Sequence, residues 1–296
     1  MLDTRAPLLL PSAHDALTAR LIERAGFPAY QIGGFSLVGA THATPDVDLE
    51  HFGEKRLWME PIVRATDLPV LVDGDDGYGD AKNVSRTVEG YERLGAAAIF
   101  IEDQTSPKRC GHMADKHVVP IEEMEQKIRA AVAARRSQEF FILARTDARD
   151  PHGLDDALHR AEFYLRAGAD GVYVEGPKSE AELVKIADTF KGVPLATSIL
   201  EHGGVTPWVA PEVLGDMGFS MILYPTTVLF QVTRAIETAL SNLRDGRQLT
   251  PGNSVDMETF EQIVNIDHWK NIEHRFMDVE HAGGPVGWVK HLAGRD

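Results

Sequence analysis

The chain has 296 residues, 43% of them hydrophobic and 25% charged, with a formal net charge of −15. That length allows one large domain or two modest ones, and the acidic balance argues against a nucleic-acid partner, which needs clustered Lys and Arg. A single cysteine excludes an intrachain disulfide framework and fits a reducing cytoplasm, while Leu8-Leu9-Leu10 is cut by Pro11, too short for a signal core or a membrane span.

Short apolar runs alternate with amphipathic stretches along the chain. Residues 8–10 and 29–32 read as the first two strands, with a helix between them that Ser12 can cap and that carries Leu17, Leu21 and Ile22. Residues 35–49 read as irregular, and 53–65 as a helix. Strands follow at 69–73, 97–101, 140–144, 171–174, 194–197 and 219–224, and helices at 83–94, 120–136, 153–167, 179–190, 210–217 and 227–243. A turn-rich connector at 248–253 then leads to a helical stretch over 257–276.

Eight strand–helix alternations imply parallel strands with right-handed crossovers, and the length fits a (β/α)8 TIM barrel over 1–245 with a C-terminal helical extension over 246–296. A doubly wound sheet is the alternative. The barrel is favoured because Gly33-Gly34, Asp73, Glu102, Arg145, Glu175 and Thr226 all fall at strand C-termini, which in a barrel converge on one mouth. Any one of them alone could be a helix cap.

Two stretches carry chemistry. In Asp73-Gly74-Asp75 two carboxylates can reach one cation as the chain leaves a strand. Oxygen-only ligands suit Mg2+, with Asp46 and Glu102 as outer partners; a solvated acidic loop is the other reading. His14, His42, His51 and His112 have no zinc spacing. Cys110 sits in Lys108-Arg109-Cys110-Gly111-His112, among cations that favour a thiolate, rather than in an apolar run where cysteine is a small hydrophobe.

Asp73-Gly74-Asp75-Asp76-Gly77-Tyr78-Gly79, Ile101-Glu102-Asp103-Gln104, the Lys108–His112 run and Ala144-Arg145-Thr146-Asp147-Ala148 together resemble the isocitrate lyase/phosphoenolpyruvate mutase superfamily. The Lys-Arg-Cys-Gly-His run resembles its carbon–carbon lyase branch, and Met113 the 2,3-dimethylmalate lyase and petal death group within it. The resemblance implies a Mg2+ site (Mn2+ as a substitute) at Asp73, Asp75, Asp46 and Glu102. It also implies a carboxylate site at Arg145, Gly34 and Phe35, and pocket walls from Glu175 and His112. The reaction it implies is retro-aldol cleavage of a 2-hydroxy di- or tricarboxylate, with Cys110 protonating the enolate. Three positions depart from the pattern: Gly33 in place of Ser, Asp76 in place of Thr, adding charge near the metal, and Thr197-Ser198 near a common Asn. Rival readings are a P–C bond mutase, an oxaloacetate hydrolase and a catalytically silent barrel. The family swaps its eighth helix between subunits, usually in tetramers, so a homodimer or homotetramer with an exchanged C-terminal-side helix is expected.

Overall fold

Eight parallel strands curl into a (β/α)8 barrel in the computed structural model, which describes residues 7–201, 203–248 and 252–277. The strands are β1 (Leu8–Pro11), β2 (Tyr30–Ile32), β3 (Val70–Asp73), β4 (Ala98–Glu102), β5 (Phe141–Thr146), β6 (Gly171–Val174), β7 (Leu195–Ser198) and β8 (Met221–Tyr224). Their order is β1-β8-β7-β6-β5-β4-β3-β2. The helices between them are α1 (Ala16–Arg24), α2 (Gly34–His42), α3 (Phe52–Val63), α4 (Ala81–Leu94), α5 (Ile121–Ala134), α6 (Leu154–Arg166), α7 (Glu180–Thr189) and α8 (Pro211–Met217), and α9 (Thr227–Arg244) follows β8.

The strands are apolar on both faces because both are covered. Leu10, Leu71, Phe100, Leu143, Tyr173, Met221 and Leu223 fill the barrel interior. Val72, Ile99 and Ile101 pack outward with Val84, Val88 and Tyr91 of α4. Between β1 and β2 the ladder shrinks to one bridge, Ser12 to Gln31. Side chains complete that join: the Gln31 amide donates to the Leu10 carbonyl at 3.1 Å, and Ser12 Oγ accepts from the Gly33 N–H at 3.2 Å.

Three local expectations change. Asp15, not Ser12, caps α1, accepting from the Thr18 N–H at 2.7 Å, because Ser12 is taken up at the join. The first half of the stretch read as irregular is α2, whose low amphipathicity hides it from periodicity. The C-terminal helical stretch is two helices, α10 (Met257–Ile263) and α11 (Ile266–Met277), interrupted by Asn265 at φ 59°.

By contacts the chain divides into two units, Met1–Thr238 and Ala239–Asp296. No residue of α9 is buried. Among the described residues no helix is long and apolar enough to cross a membrane.

Candidate active site

Strand C-termini converge at one end of the barrel, where a single cavity is lined by Gly33, Gly34, Phe35, Asp46, Asp73, Glu102, Cys110, His112, Arg145 and Glu175. Of the expected site residues only Asp75 stays outside that lining; it is fully enclosed beneath it.

Asp73 ends β3 and is held on both oxygens. Its Oδ2 accepts from the Gly34 N–H at 2.8 Å and its Oδ1 from the Asp75 N–H at 2.9 Å. A Cβ on Gly34 would stand 3.0 Å from Asp73 Oδ2, so glycine lets the start of α2 touch the carboxylate. Asp75 folds back with φ 46° and meets two ammonium groups, Lys55 at 2.5 Å and Lys108 at 2.6 Å. Lys108 also donates to Asp46 Oδ1 at 2.5 Å. Burial opposes charge on Asp75, but Lys108 and Lys55 hold its carboxyl well below the usual range. Burial, then Asp75, pushes Asp73 up. Asp76 does not add charge to the cavity as expected: it accepts from the Tyr78 N–H at 2.8 Å and faces Lys127 of α5 at 3.6 Å.

Glu102 and Arg145 are register neighbours on β4 and β5. Burial, which outweighs Arg145, raises the Glu102 carboxyl well above its ordinary range, and its buried Oε1 has no hydrogen-bond partner. Within that lining Asp46, Asp73 and Glu102 offer oxygen donors, and the orphaned Glu102 oxygen is the opening a hard cation would fill. Among the described residues no three His, Cys, Asp or Glu side chains form a direct ligand cluster. The set therefore fits a divalent cation held by few protein oxygens and several waters.

Arg145 is gripped bidentately by Asp147, Nε to Oδ2 at 2.9 Å and Nη2 to Oδ1 at 3.0 Å, and approaches Glu102 at 3.3 Å. Its guanidinium lies over the rings of Tyr173 and Phe100, 5.3 and 5.7 Å from their centroids. Against the burial that opposes charge, Arg145 and then Lys116 hold Asp147 down to about 2. Glu175 accepts from the Tyr173 hydroxyl and, at 3.3 Å, from Ser198 Oγ. The Val205 N–H donates to His112 Nδ1 at 3.1 Å. In the neutral ring the proton therefore sits on Nε2, 3.2 Å from Ser198 Oγ and 3.3 Å from Glu175.

Cys110 is half-buried, its N–H bonded to the Asp46 carbonyl at 3.1 Å. The cations beside it in sequence point elsewhere. Lys108 serves Asp46 and Asp75, and Arg109 is half-exposed, 4.0 Å from Asp115. Burial and then Asp46 push the thiol up to about 11, so the expected thiolate gives way to a thiol at neutral pH. Sequence reading missed Lys55, Lys116 and Asp147. Buried lysines look like surface lysines in sequence, although Asp147 follows Arg145 at a spacing that fits a clamp.

A (β/α)8 barrel whose mouth brings together carboxylates, a clamped guanidinium and a thiol has the make-up of an enzyme that acts on a small molecule. The family described as phosphoenolpyruvate phosphomutase matches residues 1–244. The chain is 38% identical to 2,3-dimethylmalate lyase of Eubacterium barkeri over 93% of its length and 96% of that protein. It is 38% identical to 2-methylisocitrate lyase of Bacillus subtilis over 87% of its length and 84% of that protein. Among solved structures, oxaloacetate acetylhydrolase bound to 3,3-difluorooxalacetate aligns with a TM-score of 0.86 at 29% identity, over 91% of this chain and 92% of that one. A 2,3-dimethylmalate lyase aligns at 0.85 and 31%, over 92% and 91%. Phosphonopyruvate hydrolase in complex with oxalate and Mg2+ aligns at 0.82 and 27%, over 93% and 96%. The chain belongs to the phosphoenolpyruvate mutase/isocitrate lyase superfamily, and within it to the carbon–carbon lyases.

Proposed function

We propose that the protein is a Mg2+-dependent lyase, with Mn2+ able to substitute, that cleaves a 2-hydroxy di- or tricarboxylate of the 2,3-dimethylmalate or 2-methylisocitrate type. The products are a 2-oxo acid and a carboxylic acid. The observation that carries this reading is the convergence of Cys110, Arg145, Asp73 and Glu102 on one cavity. Asp46, Asp73 and Glu102 would hold the metal, directly or through water, with Asp75 steering Asp73 through its N–H. When bound, the metal polarises the substrate hydroxyl and its neighbouring carboxylate. The Gly33 and Gly34 N–H groups already serve Ser12 and Asp73, so Arg145 and the next amide, that of Phe35, take the substrate carboxylate. Glu175, 3.8 Å from Arg145, and His112 line the pocket beside it. Transfer of the hydroxyl proton to a base and cleavage of the C2–C3 bond leave the 2-oxo acid and an aci-enolate, whose charge Arg145 stabilises. Cys110 gives its thiol proton to the enolate carbon; the thiol state at neutral pH supports that role.

The same reading makes 1–245 the catalytic barrel and 246–296 an extension that serves assembly, in a cytoplasmic homodimer or homotetramer that exchanges C-terminal-side helices. Exposed Phe230, Ile236, Leu240 and Leu243 on α9 support it. The test is identification of the products formed from a panel of 2,3-dimethylmalate, 2-methylisocitrate, oxaloacetate and phosphonopyruvate, with Mg2+ and with excess EDTA: a new 2-oxo acid from either of the first two, oxalate and acetate from oxaloacetate, and a phosphorus–carbon bond change in phosphonopyruvate. Turnover of one of the first two substrates, abolished by EDTA, is expected. Turnover only of oxaloacetate or phosphonopyruvate, or full activity in EDTA, overturns the reading.

A further inference from the structure

The chain after Cys110 runs over the surface, with Met113, Ala114, Asp115 and His117 exposed, yet Lys116 among them is only 4% exposed. An ammonium is not buried without partners. Lys116 Nζ has two: it donates to the Gly111 carbonyl, and it lies 3.1 Å from Asp147 Oδ1. That same oxygen accepts from Arg145 Nη2 at 3.0 Å. One carboxylate oxygen therefore ties the guanidinium of the cavity to the loop that carries the thiol.

The tie has little slack. A Cβ on Gly111 would fall 2.3 Å from Arg145 Nη2 and 2.7 Å from Glu175 Cγ, so the loop backbone rests directly on those side chains. Asp147 is fixed from below, its N–H donating to Asp103 Oδ1 at 2.8 Å. Asp103 is held in turn by Thr146 at 2.7 Å and Tyr164 at 2.8 Å. Before Cys110, the loop is pinned separately: Arg109 N–H donates to Gln104 at 3.0 Å, and Gln104 donates back to the Arg109 carbonyl at 2.8 Å. Lys116 holds the other side, at the residue next to the thiol.

We propose that Lys116 is a positioning residue, seating the Cys110 loop against Arg145 through the Gly111 carbonyl and Asp147. The proposal rests on the lyase reading for its effect on turnover, since Lys116 acts only through its neighbours. A displacement of about 1 Å of the proton donor is enough to slow transfer on the order of 100-fold.

The test uses the full-length enzyme and the variants Lys116→Met, Lys116→Gln and Lys116→Arg. Cys110 is the chain's only cysteine, so iodoacetamide at fixed pH reports on this loop alone. For Lys116→Met the expected results are alkylation faster by about fivefold or more and kcat lower by about 10- to 100-fold, with KM within about threefold. Lys116→Arg should lie closer to the parent on both readouts. Lys116→Gln provides the same measurements if the Met variant does not accumulate. Alkylation and kcat both within about twofold of the parent would overturn the proposal. So would a rise in KM at unchanged kcat, which would put the lysine on substrate holding instead. If the parent cleaves no carbon–carbon bond in any substrate, the lyase reading falls, while the alkylation rates still decide whether Lys116 seats the loop.

Discussion

Cys110 stands between Arg109 and Gly111, with Lys108 and His112 close by in sequence, yet its chemistry follows the fold rather than that list. Each of those three charged or titratable neighbours is turned toward another partner, and burial leaves the sulfur as a thiol up to about pH 11. A raised value means that the proton-bearing form dominates below it and the thiolate fraction grows as pH rises. Iodoacetamide alkylation should therefore be slow at pH 8 and climb about tenfold per pH unit toward pH 11. A rate already level at pH 8 would contradict burial of the thiol. Cys110→Ser should fold as the parent does and lose turnover by about 100-fold or more, measured as 2-oxo acid release. At this scale the residue types of the site were legible, because charge at a strand end of a parallel barrel has few bland explanations once several ends share it. Orientation was not: Lys108 reads as a neighbour of Cys110, and only packing shows that it serves Asp46 and Asp75 instead.

Strands were the most legible elements. The apolar runs over 69–73, 97–101 and 171–174 closely match β3, β4 and β6, since a strand buried on both faces stays apolar until its C-terminal end reaches the mouth. Helix α2 escaped notice because Gly34 and Gly39 and its weak amphipathicity hide a helix that begins at the cavity. The loop between β3 and α4 gives a case where two elements share a departure from the family pattern. Asp76 there faces Lys127 of α5, both nearly inaccessible, and Lys127 also donates to the Asp76 carbonyl at 3.0 Å. Removing one partner strands a buried charge. Lys127→Met should thus lower unfolding stability by about 3 kcal/mol in urea denaturation. Asp76→Thr in that background should recover much of the loss, and additive losses would refute the coupling.

For the whole molecule, α9 poses the question of what covers it, because Leu240 and Leu243 are 60% and 65% exposed on a helix with no buried residue. With a second copy as the partner, sedimentation at micromolar concentration should give a dimer or tetramer. A monodisperse monomer would refute helix exchange. The barrel itself has an uneven rim. Where seven strand pairs are laced by backbone ladders, the eighth join depends on Gln31 and Ser12. Ser12 Oγ holds the N–H of Gly33, at the lip of the cavity. Warming should open that seam while the rest of the wall stands, so the enzyme would fall silent before it melts. Amide exchange at Ala13 and Gly33 would quicken at temperatures where β4 and β5 remain protected; simultaneous loss of protection would mean that the ring breaks as one.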